Sequence, residues 1–241
     1  MDDIAGAKGT IAASAAGTVT VPFKRFQGLR TRVLSAIVLM PFFLAALWFG
    51  FPWIDLLAAL AAPLMAAEWI RLTRGYSFAR ALGLVYGIAA LVTLLWLRHQ
   101  PALGRETVLW LTACVWSTDI AAYFVGSSVG GAKLAPRISP GKTWSGLIGA
   151  MVVTALASAG FGVAVGEGQP LVLGAIGAFL AVVGQMGDLL KSHAKRRAGV
   201  KDSGHLIPGH GGLLDRLDGF MAVLLVAALA RLLVDKGWPW G

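Results

Sequence analysis

Seven long apolar segments restrict what this chain can fold into more than any other feature. They span residues 33–50, 53–70, 81–97, 106–125, 146–165, 170–189 and 219–235. A helix needs about 20 apolar residues to cross the hydrocarbon core of a bilayer. Hydrophobic residues make up 57% of the chain and charged residues only 14%, which is more apolar than a soluble domain buries. The sequence therefore predicts an all-α, polytopic integral membrane protein with about seven transmembrane helices.

Basic residues are concentrated on one side of the predicted spans. If the N-terminus is cytoplasmic, most of the 21 lysines and arginines lie on the cytoplasmic side, in segments 1–32, 71–80, 126–145 and 190–218. The opposite side keeps only Arg98, Arg105 and Lys236. Because cytoplasmic loops carry an excess of Lys and Arg, this pattern predicts a cytoplasmic N-terminus. It also accounts for most of the net charge of +9, so the charge requires no nucleic-acid partner.

The predicted spans divide the chain into three parts. Residues 1–32 begin with a stretch rich in Gly, Ala, Ser and Thr and end in a basic run, which predicts a mobile basic tail. No small-residue cleavage site follows, so the first span is expected to be an uncleaved anchor. Residues 33–106 form the N-terminal transmembrane helices. Residues 107–241 form a transmembrane region with two polar loops on the cytoplasmic side.

Several side chains near the span ends have an expected place. Glu68 lies near the cytoplasmic end of the second span, where we expect it to pair with Arg71 or Arg74. An interfacial belt of aromatic residues is typical of membrane proteins. We assign to it the tryptophans close to predicted span ends, namely Trp53, Trp69, Trp96, Trp110, Trp238 and Trp240.

The first polar loop, between the fourth and fifth spans, has the side chains that phosphate binding requires. Lys133, Arg137 and Lys142 supply cations, and Ser139 and Thr143 supply hydroxyl groups. Glycines between them allow a close approach of the backbone to a ligand. No Walker pattern is present. The spacing alone therefore leaves two interpretations open, a triphosphate site and a basic loop that only sets membrane orientation.

The second polar loop, before the last span, carries a stronger signal. Asp215 and Asp218 are three residues apart, which places both carboxylates on one face of a helix, and Asp188 ends the preceding span. Carboxylates at membrane depth are candidates for function, and Mg²⁺ prefers such oxygens beside substrate phosphates. The alternative is that Asp215 and Asp218 cap the helix and pair with Arg216. We favour metal binding, and we consider His210, which lies between two glycines, for a phosphate contact.

The second loop resembles the signature of the phosphatidate cytidylyltransferase family. That signature reads Ser-x-apolar-Lys-Arg, four residues, Lys-Asp, a Gly-His-Gly-Gly turn and Asp-Arg-apolar-Asp. It is matched here by Ser192, Lys195, Arg196, Lys201, Asp202, His210, Gly211, Gly212, Asp215, Arg216 and Asp218. Ala194 stands where the family usually has a bulky apolar residue. The first loop is similar to a second family segment, in the stretches that contain Asp119, Lys133, Ser139, Lys142 and Thr143.

The resemblance covers roughly residues 107–235, and it implies transfer of the cytidylyl group of CTP to phosphatidic acid. The products would be CDP-diacylglycerol and pyrophosphate. With the charge pattern, it predicts catalytic roles for Asp188, Lys195, Arg196, Lys201, Asp202, His210, Asp215 and Asp218. It predicts substrate contacts from Asp119, Lys133, Ser139, Lys142, Thr143, Ser192 and Arg216. We expect Mg²⁺ to be held by Asp188, Asp215 and Asp218, and we leave a second cation open.

The expected partners are CTP, phosphatidic acid and membrane lipids, with no nucleic acid, and a homodimer is left open. We expect a place in a bacterial inner membrane, with both motif loops facing the cytoplasm. Charge arguments leave two other functions open. A CTP-dependent lipid kinase would share CTP, Mg²⁺ and a lipid acceptor, but it would transfer the γ-phosphoryl group and release CDP. A membrane transporter would also place carboxylates between helices, although along a path at the middle of the bilayer.

Overall fold

Helices account for most of the regular structure in the computed structural model. It describes residues 27–200, 203, 212–234 and 238–240, with side chains from residue 37 onward. Most of the predicted tail, residues 1–26, lies outside the described residues. Seven helices occur within the described ranges, α1 Gln27–Phe49, α2 Trp53–Leu72, α3 Ser77–Arg98, α4 Gly104–Val129, α5 Trp144–Val165, α6 Pro170–Arg197 and α7 Leu214–Leu233.

The helices coincide with the predicted apolar segments. Five of them, α2 to α6, are long and apolar enough to cross a membrane, and α1 has a shorter apolar section, Ile37–Phe49. The predictions of an all-α fold and of an integral membrane protein are therefore confirmed. The number of seven spans and the cytoplasmic N-terminus stay predictions.

The first polar loop contains a small antiparallel hairpin that the sequence did not predict. Strand β1, Lys133–Ala135, pairs with strand β2, Ser139–Thr143. The hairpin lies between the end of α4 and the start of α5. Thr143 ends β2 and caps α5, because its hydroxyl oxygen accepts the N–H of Gly146 at 3.1 Å.

The second polar loop begins later than predicted, because α6 continues beyond residue 189 to Arg197. Lys195 and Arg196 therefore lie on the last turn of a helix and not in a loop. Lys and Arg are good helix formers, and their charge is favourable at the C-terminus of a helix. The chain leaves the helix at Gly199, whose φ of +71° is the left-handed conformation that glycine adopts easily.

Helix α4 forms the centre of the bundle and packs against α1, α3, α5, α6 and α7. Its polar side chains find partners across the helix interfaces. The Trp110 indole N–H donates to Ser158 of α5 at 2.8 Å, and Thr118 shares a hydrogen bond of 2.9 Å with Thr154. Interhelical hydrogen bonds of this kind satisfy polar groups in an apolar interior.

The interfacial prediction was wrong for Trp110 and Trp240. Trp110 is fully buried and Trp240 is 8% exposed, and their rings lie 5.9 Å apart. The Trp240 indole N–H donates to the Thr107 hydroxyl at 2.8 Å. A residue near the end of α4 is still inside the bundle because α4 is surrounded by other helices. Trp53, at the start of α2, is exposed, and its place in an interfacial belt stays a prediction.

Helices α6 and α7 approach closely because both carry glycine where they meet. A Cβ at Gly187 would lie 3.0 Å from the backbone oxygen of Asp218, and a Cβ at Gly219 would lie 3.1 Å from the backbone oxygen of Gly184. Small residues allow helix backbones to come together in a bilayer. The close contact brings Asp188 of α6 next to Asp218 of α7.

Replacing Gly219 with alanine is expected to lower the melting temperature in detergent by roughly 5 °C. The new methyl group would press on backbone atoms that cannot rotate away, and overpacking of this kind costs roughly 1–3 kcal/mol. Gly160→Ala is the matched control, because Gly160 of α5 faces open space. If both variants melt at the wild-type temperature, the close approach of α6 and α7 does not depend on Gly219.

Candidate active site

Two facing rows of charged side chains lie between α6 and α7. Asp188, Lys191 and Lys195 follow one another on α6 at spacings of three and four residues, and therefore share a face. Asp215 and Asp218 share a face at the start of α7. Lys142 of β2 reaches the same place. We call these six residues the charge cluster, namely Lys142, Asp188, Lys191, Lys195, Asp215 and Asp218.

Asp215 is the most fully bonded carboxylate of the cluster. Its Oδ1 atom lies 2.9 Å from Lys195 Nζ and 3.2 Å from Lys191 Nζ. Its Oδ2 atom accepts the backbone N–H groups of Ser203 at 2.9 Å and Gly212 at 3.1 Å. A carboxylate has about four acceptor sites, so the capacity of Asp215 is filled by the protein itself.

Asp188 and Asp218 lie side by side, with their carboxyl groups within hydrogen-bonding distance. The Asp188 side chain is 35% exposed, whereas those of Asp218 and Asp215 are 15% and 9% exposed. The Ser192 hydroxyl donates to Asp188 at 3.4 Å. Two adjacent carboxylates repel each other unless a proton or a cation compensates their charge. Lys142 and Lys191 supply part of this compensation, and the exposure of Asp188 makes this pair the part of the charge cluster best suited to a further cation.

The hairpin is joined to α6 at two points, so the first polar loop lies against the helix that carries the start of the second motif. Lys142 Nζ lies 2.5 Å from Asp188 Oδ2, and Arg196 donates through Nε to the backbone oxygen of Ile138 at 3.2 Å. Lys133 is exposed at the start of β1, and Ser139 is half-buried at the start of β2. The substrate contacts predicted for Lys133, Ser139 and Thr143 stay predictions.

A cavity of about 540 Å³ ends at the charge cluster. Its walls are mainly apolar side chains of α1, α2, α3, α4 and α7, among them Phe43 and Leu94. The polar groups along it are few, chiefly Asp119, Arg216 and the two carboxylates on α7. Binding sites for small molecules are typically apolar cavities with a few polar groups that orient the ligand.

The structure describes some of the residues predicted to bind metal or to take part in catalysis, but not all of them. Lys201, Asp202 and His210 lie outside the described residues. In the described part of the chain, no three Asp, Glu, His or Cys side chains form a group that would hold a metal ion. The assignment of Asp188, Asp215 and Asp218 to Mg²⁺ stays a prediction, and Asp215 faces two ammonium groups.

Lys191 is a member of the charge cluster that the sequence reasoning missed. It counted only as one more basic residue of the cytoplasmic side, yet its side chain is just 6% exposed and contacts Asp215 and Asp218. A signal was present in the sequence. Lys191 follows Asp188 by three residues and precedes Lys195 by four, which places it on the same helical face.

Glu68 has a role that differs from the predicted one. The expected pairing with Arg71 or Arg74 was wrong, because the Glu68 side chain is buried and points to the start of α7. It accepts the N–H groups of Leu213 and Leu214, both at 2.9 Å. The N-terminal N–H groups of a helix have no partner inside the helix, and they attract a carboxylate. Glu68 thus caps the helix that carries Asp215 and Asp218.

Replacing Glu68 with glutamine is expected to destabilise the protein by about 1–3 kcal/mol, because the amide has a single acceptor oxygen for two buried N–H donors. The melting temperature in detergent measures this loss. Glu106→Gln is the matched control, since Glu106 of α4 pairs with the neighbouring Arg105 at the other end of the bundle. A Glu68→Gln variant that melts with the wild type would show that α7 does not depend on this cap.

Comparison with known protein sequences places this chain in a family. The cytidylyltransferase family model matches residues 77–234. The chain belongs to the cytidylyltransferase family. A phosphatidate cytidylyltransferase of Brucella suis is 42% identical over 209 residues, which cover 83% of this chain and 71% of the relative. One from Rickettsia conorii is 34% identical over 221 residues, covering 87% and 94%. One from Bacillus subtilis is 43% identical over 129 residues, covering 53% and 48%.

The cytidylyltransferase match includes the whole charge cluster and stops short of α1 and α2. The resemblance predicted from the two motif loops is therefore confirmed. Glu68 lies outside the matched range, although it caps a helix inside it. The first two helices also supply apolar walls of the cavity. The part of the chain with the weaker resemblance thus completes the site that the family motifs form.

Proposed function

We propose that this chain transfers the cytidylyl group of CTP to phosphatidic acid, giving CDP-diacylglycerol and pyrophosphate. Membership of the cytidylyltransferase family supports the reaction class, and the relatives bear the name of this activity. The structural observation that supports this activity for the present chain is the cavity. It joins an apolar interior to the charge cluster, which suits a substrate with acyl chains and a phosphate head group.

The substrates approach the site from two directions in this proposal. The acyl chains of phosphatidic acid lie in the apolar part of the cavity, and its phosphate lies near Arg216. CTP binds from the aqueous side, where the hairpin and the end of α6 present Lys142 and the exposed Arg196. The excess of basic residues on this side supports a cytoplasmic position for the loops, in the inner membrane of a bacterium.

The residues present fit a divalent cation at Asp188 and Asp218. Their carboxyl groups are adjacent, and Asp188 is the most accessible carboxylate of the cluster. When bound, Mg²⁺ would supply positive charge to the triphosphate oxygens. Lys142 holds Asp188 in the free protein. With a cation at Asp188, the Lys142 ammonium would be available to a phosphate of CTP.

The chemical step needs positioning and charge compensation more than proton transfer. An oxygen of the phosphatidate phosphate forms a bond to the α-phosphorus of CTP, while the bond from that phosphorus to the oxygen bridging to the β-phosphate breaks. Pyrophosphate leaves with the electron pair. The nucleophile is already an anion, so no general base is needed. Lys142, Arg196 and Arg216 reduce the repulsion between the two polyanions and the charge on the leaving group.

The test follows the label of CTP that carries a radioactive α-phosphate. Purified protein in detergent is given phosphatidic acid, Mg²⁺ and labelled CTP, with EDTA added in a parallel reaction. Label in the lipid product together with released pyrophosphate is the expected result. Label that remains in water-soluble CDP, with a lipid that has gained a phosphate, would instead show a lipid kinase. Absence of both products would contradict the proposal.

A further inference from the structure

Lys191 carries a buried ammonium group between two carboxylates. Its Nζ atom lies 3.2 Å from Asp215 Oδ1 and 3.4 Å from Asp218 Oδ2, and 6% of its side chain is exposed. Lysine is rarely buried to this extent unless it is paired, because removing its charge from water is costly. The burial of Lys191 is therefore supported by Asp215 and Asp218 together.

Lys142 and Lys191 differ in how easily each can be displaced. Lys142 has one carboxylate partner, Asp188, whose side chain is 35% exposed. Lys191 has two carboxylate partners whose side chains are 9% and 15% exposed. A hydrated metal ion can reach Asp188 in exchange for Lys142. Displacing Lys191 would leave a charged ammonium group without a partner inside the helix bundle, which is far less favourable.

The Lys191 ammonium group lies where a second metal ion would have to bind in a two-metal site. In two-metal sites of phosphoryl transfer, the ions lie about 3.5–4 Å apart, and shared carboxylates hold them. Asp218 is the carboxylate that a pair of ions would share here, between Asp188 on one side and Asp215 on the other. The Lys191 ammonium group already occupies the position between Asp218 and Asp215. Asp215 has no acceptor site left for an ion.

We propose that Lys191 is a resident cation that takes the place of a second metal ion, so that the chain binds one divalent ion at Asp188 and Asp218. This inference rests on the proposed function only in one respect, namely the reaction in which the bound ion would take part. It predicts that removing the Lys191 charge opens a second divalent site between Asp215 and Asp218.

The test counts Mn²⁺ ions bound to the purified protein in detergent, without either substrate. Equilibrium dialysis gives the number of ions per chain, and electron paramagnetic resonance shows whether two ions are magnetically coupled. The variants are Lys191→Met, which keeps the length of the side chain and removes its charge, and Lys191→Arg, which keeps the charge. Arg74→Met is the control for loss of a basic residue, because Arg74 is exposed in the α2–α3 loop.

One uncoupled Mn²⁺ per chain is expected for the wild type, Lys191→Arg and Arg74→Met, and two coupled ions for Lys191→Met. Two coupled ions in the wild type would overturn the proposal, whatever the variants do. A folded Lys191→Met that binds one ion would overturn it as well. Should Lys191→Met be too unstable without metal, Mn²⁺ must raise its melting temperature more than that of the wild type, and an equal rise overturns the proposal.

The ion count and the labelled-CTP reaction separate this inference from the proposed function. If the ion counts come out as expected but no cytidylyl group reaches the lipid, the proposed function fails and the cation role of Lys191 stands. If the label reaches the lipid in the wild type but Lys191→Met gains no ion, the function stands and the role of Lys191 fails.

Discussion

Asp218→Asn is expected to lower the rate of cytidylyl transfer by about a thousandfold. Asp218 of α7 joins two members of the charge cluster on α6, since it lies beside Asp188 and 3.4 Å from Lys191 Nζ. Asparagine keeps the shape of the side chain but loses the charge. The variant therefore loses part of the proposed cation site, and Lys191 loses one of its two carboxylate partners.

The measurement is transfer of the α-labelled phosphate into lipid over a range of Mg²⁺ concentrations. Asp55→Asn is the matched control, because Asp55 pairs with His99 at 3.2 Å at the opposite end of the bundle. That variant should keep the wild-type rate. Mg²⁺-dependent transfer by Asp218→Asn within about threefold of the wild type would contradict a role of Asp218 in catalysis.

Lys142→Met is expected to lower the rate at saturating substrate by about a hundredfold and, at the same time, to strengthen Mg²⁺ binding. The two effects have one cause. In the free protein the Lys142 ammonium contacts Asp188, where we propose that a metal ion binds, with its Nζ atom 2.5 Å from Oδ2. With CTP bound, the same ammonium group would compensate phosphate charge. Its loss thus favours the metal ion and disfavours the transition state.

The rate and the half-saturating Mg²⁺ concentration are read from the same titration. A variant that is merely misfolded would lose rate without a lower Mg²⁺ requirement. Arg74→Met removes an exposed basic residue from the α2–α3 loop on the same side of the bundle and should change neither quantity. A Lys142→Met variant that needs more Mg²⁺ than the wild type would show that Lys142 does not compete with the ion at Asp188.

The helices could be predicted because their signal is local. A run of about 20 apolar residues predicts a membrane helix whatever it packs against, and each of the seven runs coincides with a helix. The two motif loops were also recognisable, since the order Lys-Asp, Gly-His-Gly-Gly, Asp-Arg-apolar-Asp lies within one short stretch. The limits of α6 were harder to predict, because the charged residues after 189 end an apolar run without ending a helix.

The partners inside the site were decided by tertiary structure. The sequence treated Asp188, Asp215 and Asp218 as equivalent ligands, whereas the packing of α6 against α7 gives each a different neighbour. The Asp215 carboxylate is bonded to two lysines and two backbone N–H groups, whereas the Asp188 side chain is accessible to solvent. The glycines that permit this contact are ordinary residues in the sequence until the second helix is in place.

Glu68 and Trp110 also show which features the sequence predicts and which depend on the tertiary structure. The apolar composition was enough to predict a membrane protein, because hydrophobicity is a property of the sequence itself. The two motifs were enough to indicate the family, because each motif lies within a short stretch of sequence. That Glu68 caps a helix more than 140 residues away, and that Trp110 lies inside the bundle instead of at the interface, depends on which helices are neighbours. The charge of a side chain can be read from the sequence. The group that compensates this charge is determined by the tertiary structure, because the packing of the helices decides which side chains are neighbours.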